Sequence, residues 1–230
     1  MDYKKNADFF NYKRVKFWRV FLYIGYAFYV LTAIMLVVSG WSMYLAAPPL
    51  IPGVFFHMLS QSMMTSEKYI KSQVQRGRVE AKEDSIEALD FPSRTPDNFY
   101  KMSGYDLTSD DVLVRKTESF YSTRFILTYF SVEEKKIRIC KTKFSLVKEE
   151  RTKDFFETDY TSISKAKLIT EEKKIMTVDG NERTARVYTF NIYSNDGEVV
   201  FSTINYEDSN TIDRLAASIN HNIERAKKNA

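Results

Sequence analysis

From Val20 to Ser66 the chain runs for 47 residues without an Asp, Glu, Lys or Arg. Val20–Val38 opens this stretch with 19 mostly apolar residues. A helix needs roughly 20 such residues to cross a bilayer core. Trp18 and Trp41 bracket the run and Arg19 stands beside the first of them. These three are the expected anchors at the two membrane interfaces, where amphipathic rings and cations settle. A buried helix of a soluble core is the alternative, but such helices seldom stay uncharged on every face.

Three prolines, Pro48, Pro49 and Pro52, follow, with Gly53 after them. Each Pro removes a backbone donor and crowds the preceding turn, so a break is predicted there. Beyond it, Phe56, Leu59, Met63, Ile70 and Val74 recur at helical spacing, while Ser60, Gln61 and Ser62 offer hydrogen bonds across a helix pair. Two spans, about 18–40 and 50–68, are therefore expected as a hairpin. A single span followed by an interfacial helix over 54–75 is the alternative.

After the apolar stretch the pattern changes twice. Glu67–Leu89 is rich in Lys, Glu, Gln and Ala and predicts a helix. Asp90–Asp111 contains Pro92, Pro96 and Gly104 among Ser, Asp and Asn, and predicts an irregular connector. From Asp97 onward there is no proline. Seven strands are predicted: Phe120–Phe130, Lys136–Leu146, Thr152–Glu157, Ser162–Ile169, Lys174–Val178, Arg183–Tyr193 and Glu198–Asn205. Asp179-Gly180 and Asn195-Asp196-Gly197 supply hairpin turns between the later ones. The last element is a helix capped by Ser209 or Asn210, with Ile212, Leu215, Ala216, Ile219 and Ile223 on one face. Leu215 and Ile219 are expected to fill an open end of the sheet, and Asn222 to tolerate replacement.

These elements divide the chain into a membrane anchor over residues 1–75, a helical stalk and connector over 76–118, and a β-rich domain over 119–230. The run Phe125-Ile126-Leu127-Thr128, the charged turn Ser131–Lys135, the strand ending Lys143-Phe144-Ser145-Leu146 and the continuation to Ile163 carry a resemblance. With antiparallel hairpins and one terminal helix, this order resembles the pleckstrin-homology-like fold, most of all its small bacterial variety attached to membrane spans. The resemblance covers about half the chain. It implies an α+β protein: a transmembrane helical hairpin, then an antiparallel bent sheet or barrel capped by the C-terminal helix.

Charge orients this arrangement. The net charge is +4, and residues 1–19 already account for it, with six cations against Asp2 and Asp8. Residues 67–78 carry four cations against Glu67, while the Pro-rich connection carries no charge. Basic flanks around a neutral turn predict both ends of the hairpin on the cytoplasmic side. No basic domain remains for nucleic acid. Cys140 is the single cysteine, which excludes an internal disulfide and a cysteine zinc site and agrees with a reducing compartment. The apolar run is longer than a signal-peptide core, so a cleavable leader is not expected.

Candidate chemistry is sparse. His57 lies in the apolar stretch and His221 on the terminal helix, neither beside a nucleophile in sequence, so no catalytic residue is expected. No glycine-rich phosphate loop occurs, and neither a metal site nor a cofactor is expected. Lys135, Lys136, Arg138, Lys141 and Lys143 form the densest basic cluster of the soluble part. The resemblance implies that cations on the first two strands and their loop hold a phosphoinositide headgroup. Glu133 and Glu134 in the same loop depart from that pattern. A charged outer strand face is the alternative. The expected function is a non-enzymatic, membrane-anchored module that binds a protein partner or a membrane surface. A small accessory subunit of a membrane transport or energy complex is the alternative.

Overall fold

The computed structural model describes residues 1–40, 43–89, 99–205 and 210–228. It is an α+β protein with two compact units, residues 2–71, and Met1 with residues 72–230.

The first unit is helical. In α1 (Tyr3–Phe10), the Asp2 carboxylate accepts a hydrogen bond from the Lys5 amide at 3.0 Å and caps the first turn. The Asn11 side chain accepts from the Arg14 amide at 3.1 Å and starts α2 (Tyr12–Val38) in the same way. Helix α3 (Met43–Met63) returns antiparallel to α2. Ser60 Oγ donates to the Trp18 carbonyl at 2.8 Å, and Gly25 lies opposite Gly53 and His57. A Cβ on Gly25 would sit 3.1 Å from the His57 backbone nitrogen, and one on Gly53 would sit 3.1 Å from Phe28 Cβ. The two glycines permit the close crossing, as small residues do between membrane helices.

Here the structure corrects the expected break. Pro48, Pro49 and Pro52 lie inside continuous α3, which begins earlier than the expected span over 50–68. Their ring-fixed φ is helical, and the lost donors interrupt the hydrogen-bond ladder without ending the helix. Among the described residues α2 alone is long and apolar enough to cross a membrane.

The second unit is built on antiparallel sheets. The main sheet has the order β1-β4-β5-β6, from β1 (Phe99–Tyr105), β4 (Arg124–Val132), β5 (Lys136–Ser145) and β6 (Arg151–Asp159). A two-stranded ribbon joins β2 (Val114–Lys116) to β3 (Phe120–Ser122). After a 3₁₀ turn at Tyr160–Ser162, the third sheet has the order β7-β8-β9, from β7 (Ile163–Met176), β8 (Glu182–Ser194) and β9 (Val199–Asn205). Among the described residues the three sheets are separate and do not close into a barrel. Helix α5 (Asn210–Lys228) ends the described chain.

The core contains Met102 of β1, Phe130 and Val132 of β4, Ile137 and Ile139 of β5, and Phe190 and Ile192 of β8. Leu215, Ile219 and Ile223 of α5 enter it as the helical stripe anticipated. The Leu215 and Ile219 side chains are fully buried. Ser209 and the side chains of Asn210 and Ile212 lie outside the described residues. On the other face of the main sheet, the Arg78 guanidinium of α4 (Glu67–Ala88) lies 4.7 Å from the Phe125 ring centre. Arg151 of β6 binds Glu80 and Asp84 of the same helix, each at 2.6 Å.

Two further expectations change. The stretch read as an irregular connector contains β1 and β2, so residues 99–118 contribute strands to the folded unit that was expected to begin at 119. All seven residues of β1 pair with β4 from Phe99↔Ser131 to Tyr105↔Phe125, and Met102 is buried. Ser162–Ile169 and Lys174–Val178 merge into one strand, because Thr170–Lys173 pairs with Ala185–Tyr188 without a break. The expected turns hold their glycines in the left-handed region, with φ +80° at Gly180 and +86° at Gly197.

Candidate functional site

Strand β5 carries four of the five predicted binding cations, and Lys135 precedes it in the exposed β4–β5 turn. The strand pairs in continuous register with β4 and β6, so its side chains alternate strictly. Its burial pattern nevertheless reverses at Cys140. Ile137 and Ile139 are buried on one face, with Lys136 and Arg138 opposite. Past that point Cys140, Thr142 and Phe144 are buried, and Lys141 and Lys143 lie on the other face. The basic cluster is thus split between two faces of the sheet, and its cations do not converge.

Each cation on the strand also has a neighbour. Lys136 Nζ lies 2.8 Å from Glu157, and the Arg138 guanidinium pairs with Glu133. Lys143 lies 4.0 Å from Asp154. Lys141 Nζ donates to the Ser202 carbonyl at 2.8 Å and sits near the Phe201 ring. Burial pushes the Lys141 ammonium below the usual lysine range, with adjacent Lys143 adding to the effect. The acids of the loop and of β6 therefore occupy much of the donor capacity that an anionic headgroup would need.

A polar clasp on α5 was not legible in the sequence. Asn220 accepts from the Ala166 amide at 2.8 Å and donates to the Ala166 carbonyl at 2.9 Å. Strand β7 is an edge strand, so one amide side chain satisfies both outward backbone groups there. Two residues on, Asn222 donates to the Glu133 carbonyl at 3.2 Å and lies 3.3 Å from the Tyr160 hydroxyl. Burial pushes the Tyr160 phenol up to about 12.

The predicted interface anchors divide. Arg19 is exposed, whereas Trp18 is half-buried near Phe17 and Phe21, with ring centres at 5.2 and 5.5 Å. Trp41 lies outside the described residues. His57 stands beside Tyr26 and Tyr29, its Nε2 2.8 Å from Gln61 Nε2, and its Nδ1 is buried without a hydrogen-bond partner. His221 is exposed and Cys140 is a buried free thiol. Among the described residues no three His, Cys, Asp or Glu side chains gather as a metal site. Comparisons with family models, with curated proteins and with solved structures found no match.

Proposed function

We propose that the chain is a membrane-anchored, non-catalytic module whose β-rich unit binds a protein partner or a membrane surface. The observation that carries this is the apolar surface of α2 and α3. Tyr23, Val30, Val37, Val38, Ile51, Phe55 and Met58 are all exposed, with Val38 at 79 % and Ile51 at 70 %. A soluble chain rarely leaves so many large apolar side chains open on adjacent helices, and a bilayer would cover them. Of the two helices α2 alone is long and apolar enough to span by itself; the antiparallel packing of α3 on it supports the hairpin, and the basic residues before and after the pair support cytoplasmic ends.

The β-rich unit supports the pleckstrin-homology-like reading through its order: a four-stranded sheet, a three-stranded sheet and a C-terminal helix packed on the core. Within that reading a protein partner is favoured over a specific headgroup, because the cations of β5 point to two faces and have local partners. The second reading, an accessory subunit of a membrane complex, draws on the α2–α3 helices, where His57 meets Gln61 through Nε2 and its Nδ1 is buried without a hydrogen-bond partner.

Three measurements test this. The full chain should stay in the membrane pellet after alkaline carbonate extraction, and release into the supernatant would end the anchor reading. In a Cys140→Ser background, Lys4→Cys and Asp196→Cys, both at exposed positions, should be shielded from an impermeant maleimide in intact cells and label together after lysis. Labelling from opposite sides would leave a single span. Purification in mild detergent then separates the two functions: recovery as the chain alone favours the module, and recovery in a fixed multi-subunit complex favours the accessory subunit.

A further inference from the structure

Strand β6 is the outer strand of the main sheet, and among the described residues no strand pairs with its far side. Open edges are commonly blunted by proline, by bulges or by charged side chains, lysine above all. None of the first two occurs here: β6 is Arg-Thr-Lys-Asp-Phe-Phe-Glu-Thr-Asp and its register with β5 is continuous from Lys136↔Asp159 to Phe144↔Arg151. Its charges are ordered rather than mixed. On one face the sequence reads Arg151, Lys153, Phe155, Glu157, Asp159, which is two cations, an aromatic ring and two acids. Phe155 at the centre is 51 % exposed.

That order is self-complementary about Phe155. We propose that β6 is a homodimerisation edge, which pairs antiparallel with β6 of a second copy across a twofold axis at Phe155. In this register Arg151 falls opposite Asp159 of the other copy, Lys153 opposite Glu157, and Phe155 opposite Phe155. On the second face Thr152 meets Thr158, and Asp154 meets half-buried Phe156. Opposite charges, aromatic pairs and Thr pairs directly across an antiparallel ladder all stabilise it, whereas like charges destabilise it. A parallel pairing in register would set Arg151 on Arg151 and Asp159 on Asp159, so the charge order selects the antiparallel one. The interface is isologous and closes after two copies, with each main sheet extended to eight strands.

Arg151 is already paired with Glu80 and Asp84 of α4 at 2.6 Å, so Asp159 of the other copy would join that cluster, and the Lys153–Glu157 and Phe155–Phe155 contacts carry most of the complementarity. Glu157 is shared with Lys136 at 2.8 Å and would bridge to Lys153 of the other copy. The occupant is a second copy, and the surface is distinct from the split basic cluster of β5.

The test uses the full chain in lipid vesicles. Paired residues of an antiparallel ladder lie about 4.5–5.5 Å apart at Cα, within disulfide reach. Phe155→Cys should therefore cross-link to itself under mild oxidation. Arg151→Cys should not, because its own copy would lie about 26 Å away at roughly 3.3 Å per residue. Both cysteine changes are made in a Cys140→Ser background, because Cys140 stands directly opposite Phe155 in the β5–β6 register and would trap the new thiol within one chain. In the second arm, Lys153→Glu should weaken dimerisation about tenfold, by placing Glu opposite Glu twice. Mixing Lys153→Glu with a differently tagged Glu157→Lys chain should restore a mixed dimer. Equal cross-linking at both cysteine positions, a dimer indifferent to Lys153→Glu, or a monomeric wild-type chain would each overturn the proposal.

Discussion

Single side chains decide how α5 is held, and two of them are asparagines. Asn220 satisfies both outward backbone groups of Ala166, so Asn220→Ala would leave an amide and a carbonyl on a half-covered strand edge. Asn222, expected from its polar position to be dispensable, instead reaches the Glu133 carbonyl and the Tyr160 hydroxyl. Removing one partner of a buried group costs about 1–3 kcal/mol. For a unit of this size about 1 kcal/mol lowers Tm by about 2–4 °C. Asn220→Ala and Asn222→Ala should therefore each lower the Tm by several degrees, read by calorimetry, while His221→Ala on the exposed face between them should change it little. Tyr160 adds a pH signature. Its phenol is neutral when protonated, and burial raises its folded value to about 12 from the ordinary 10. The stability it contributes is present below about pH 10 and is lost as the pH rises from there through 12. Tyr160→Phe should flatten the fall of Tm over that window, although Tyr129, also pushed up to about 12 by burial, will retain part of it.

At the scale of elements, α5 closes the core of the second unit. Leu215 and Ile219 stand one turn apart and are both fully buried among Ile137, Phe190 and Ile192. Truncation of a buried Leu costs about 2–5 kcal/mol against a total stability of about 5–15. Leu215→Ala should lower the Tm of the full chain by more than either asparagine change does, and an unchanged Tm would mean that the stripe is a docking face. The stripe was legible in the sequence because Ile, Leu and Ala recur at helical spacing with charges between them. So were both hairpin turns, because Gly180 and Gly197 occupy positions with positive φ. The missed elements share a different cause. Phe99–Tyr105 reads as loop because Lys101, Ser103 and Gly104 dilute it, yet pairing with β4 places Met102 in the core. Prolines 48, 49 and 52 read as a break, yet α3 continues against α2 across Gly25 and Gly53. In each case tertiary contact outweighed local propensity. The basic cluster was legible as composition, but its division between two faces was not, because burial on β5 changes sides at Cys140 without a change of register.

For the molecule as a whole, the question is where the independently folding part begins. The sequence placed that boundary at Ser119, after a connector rich in Pro, Asp and Asn. The structure places β1 and β2 before that point and a compact unit from residue 72 onward. A fragment over 119–230 lacks β1, so all seven of its pairings with β4 are lost and a new edge is exposed on a strand buried along most of its length. It also lacks Met102 from the core and Glu80 and Asp84 from their pairing with Arg151. Exposed apolar edges of this kind promote association between chains. A fragment over 72–230 keeps all of these contacts and omits α1, α2 and α3 with their open apolar side chains. The longer fragment should be soluble without detergent and should melt in one cooperative transition. The shorter one should aggregate or melt at least several degrees lower, as followed by calorimetry and light scattering. Equal cooperativity and Tm in the two would place the boundary at Ser119 after all and reduce β1 to an accessory strand.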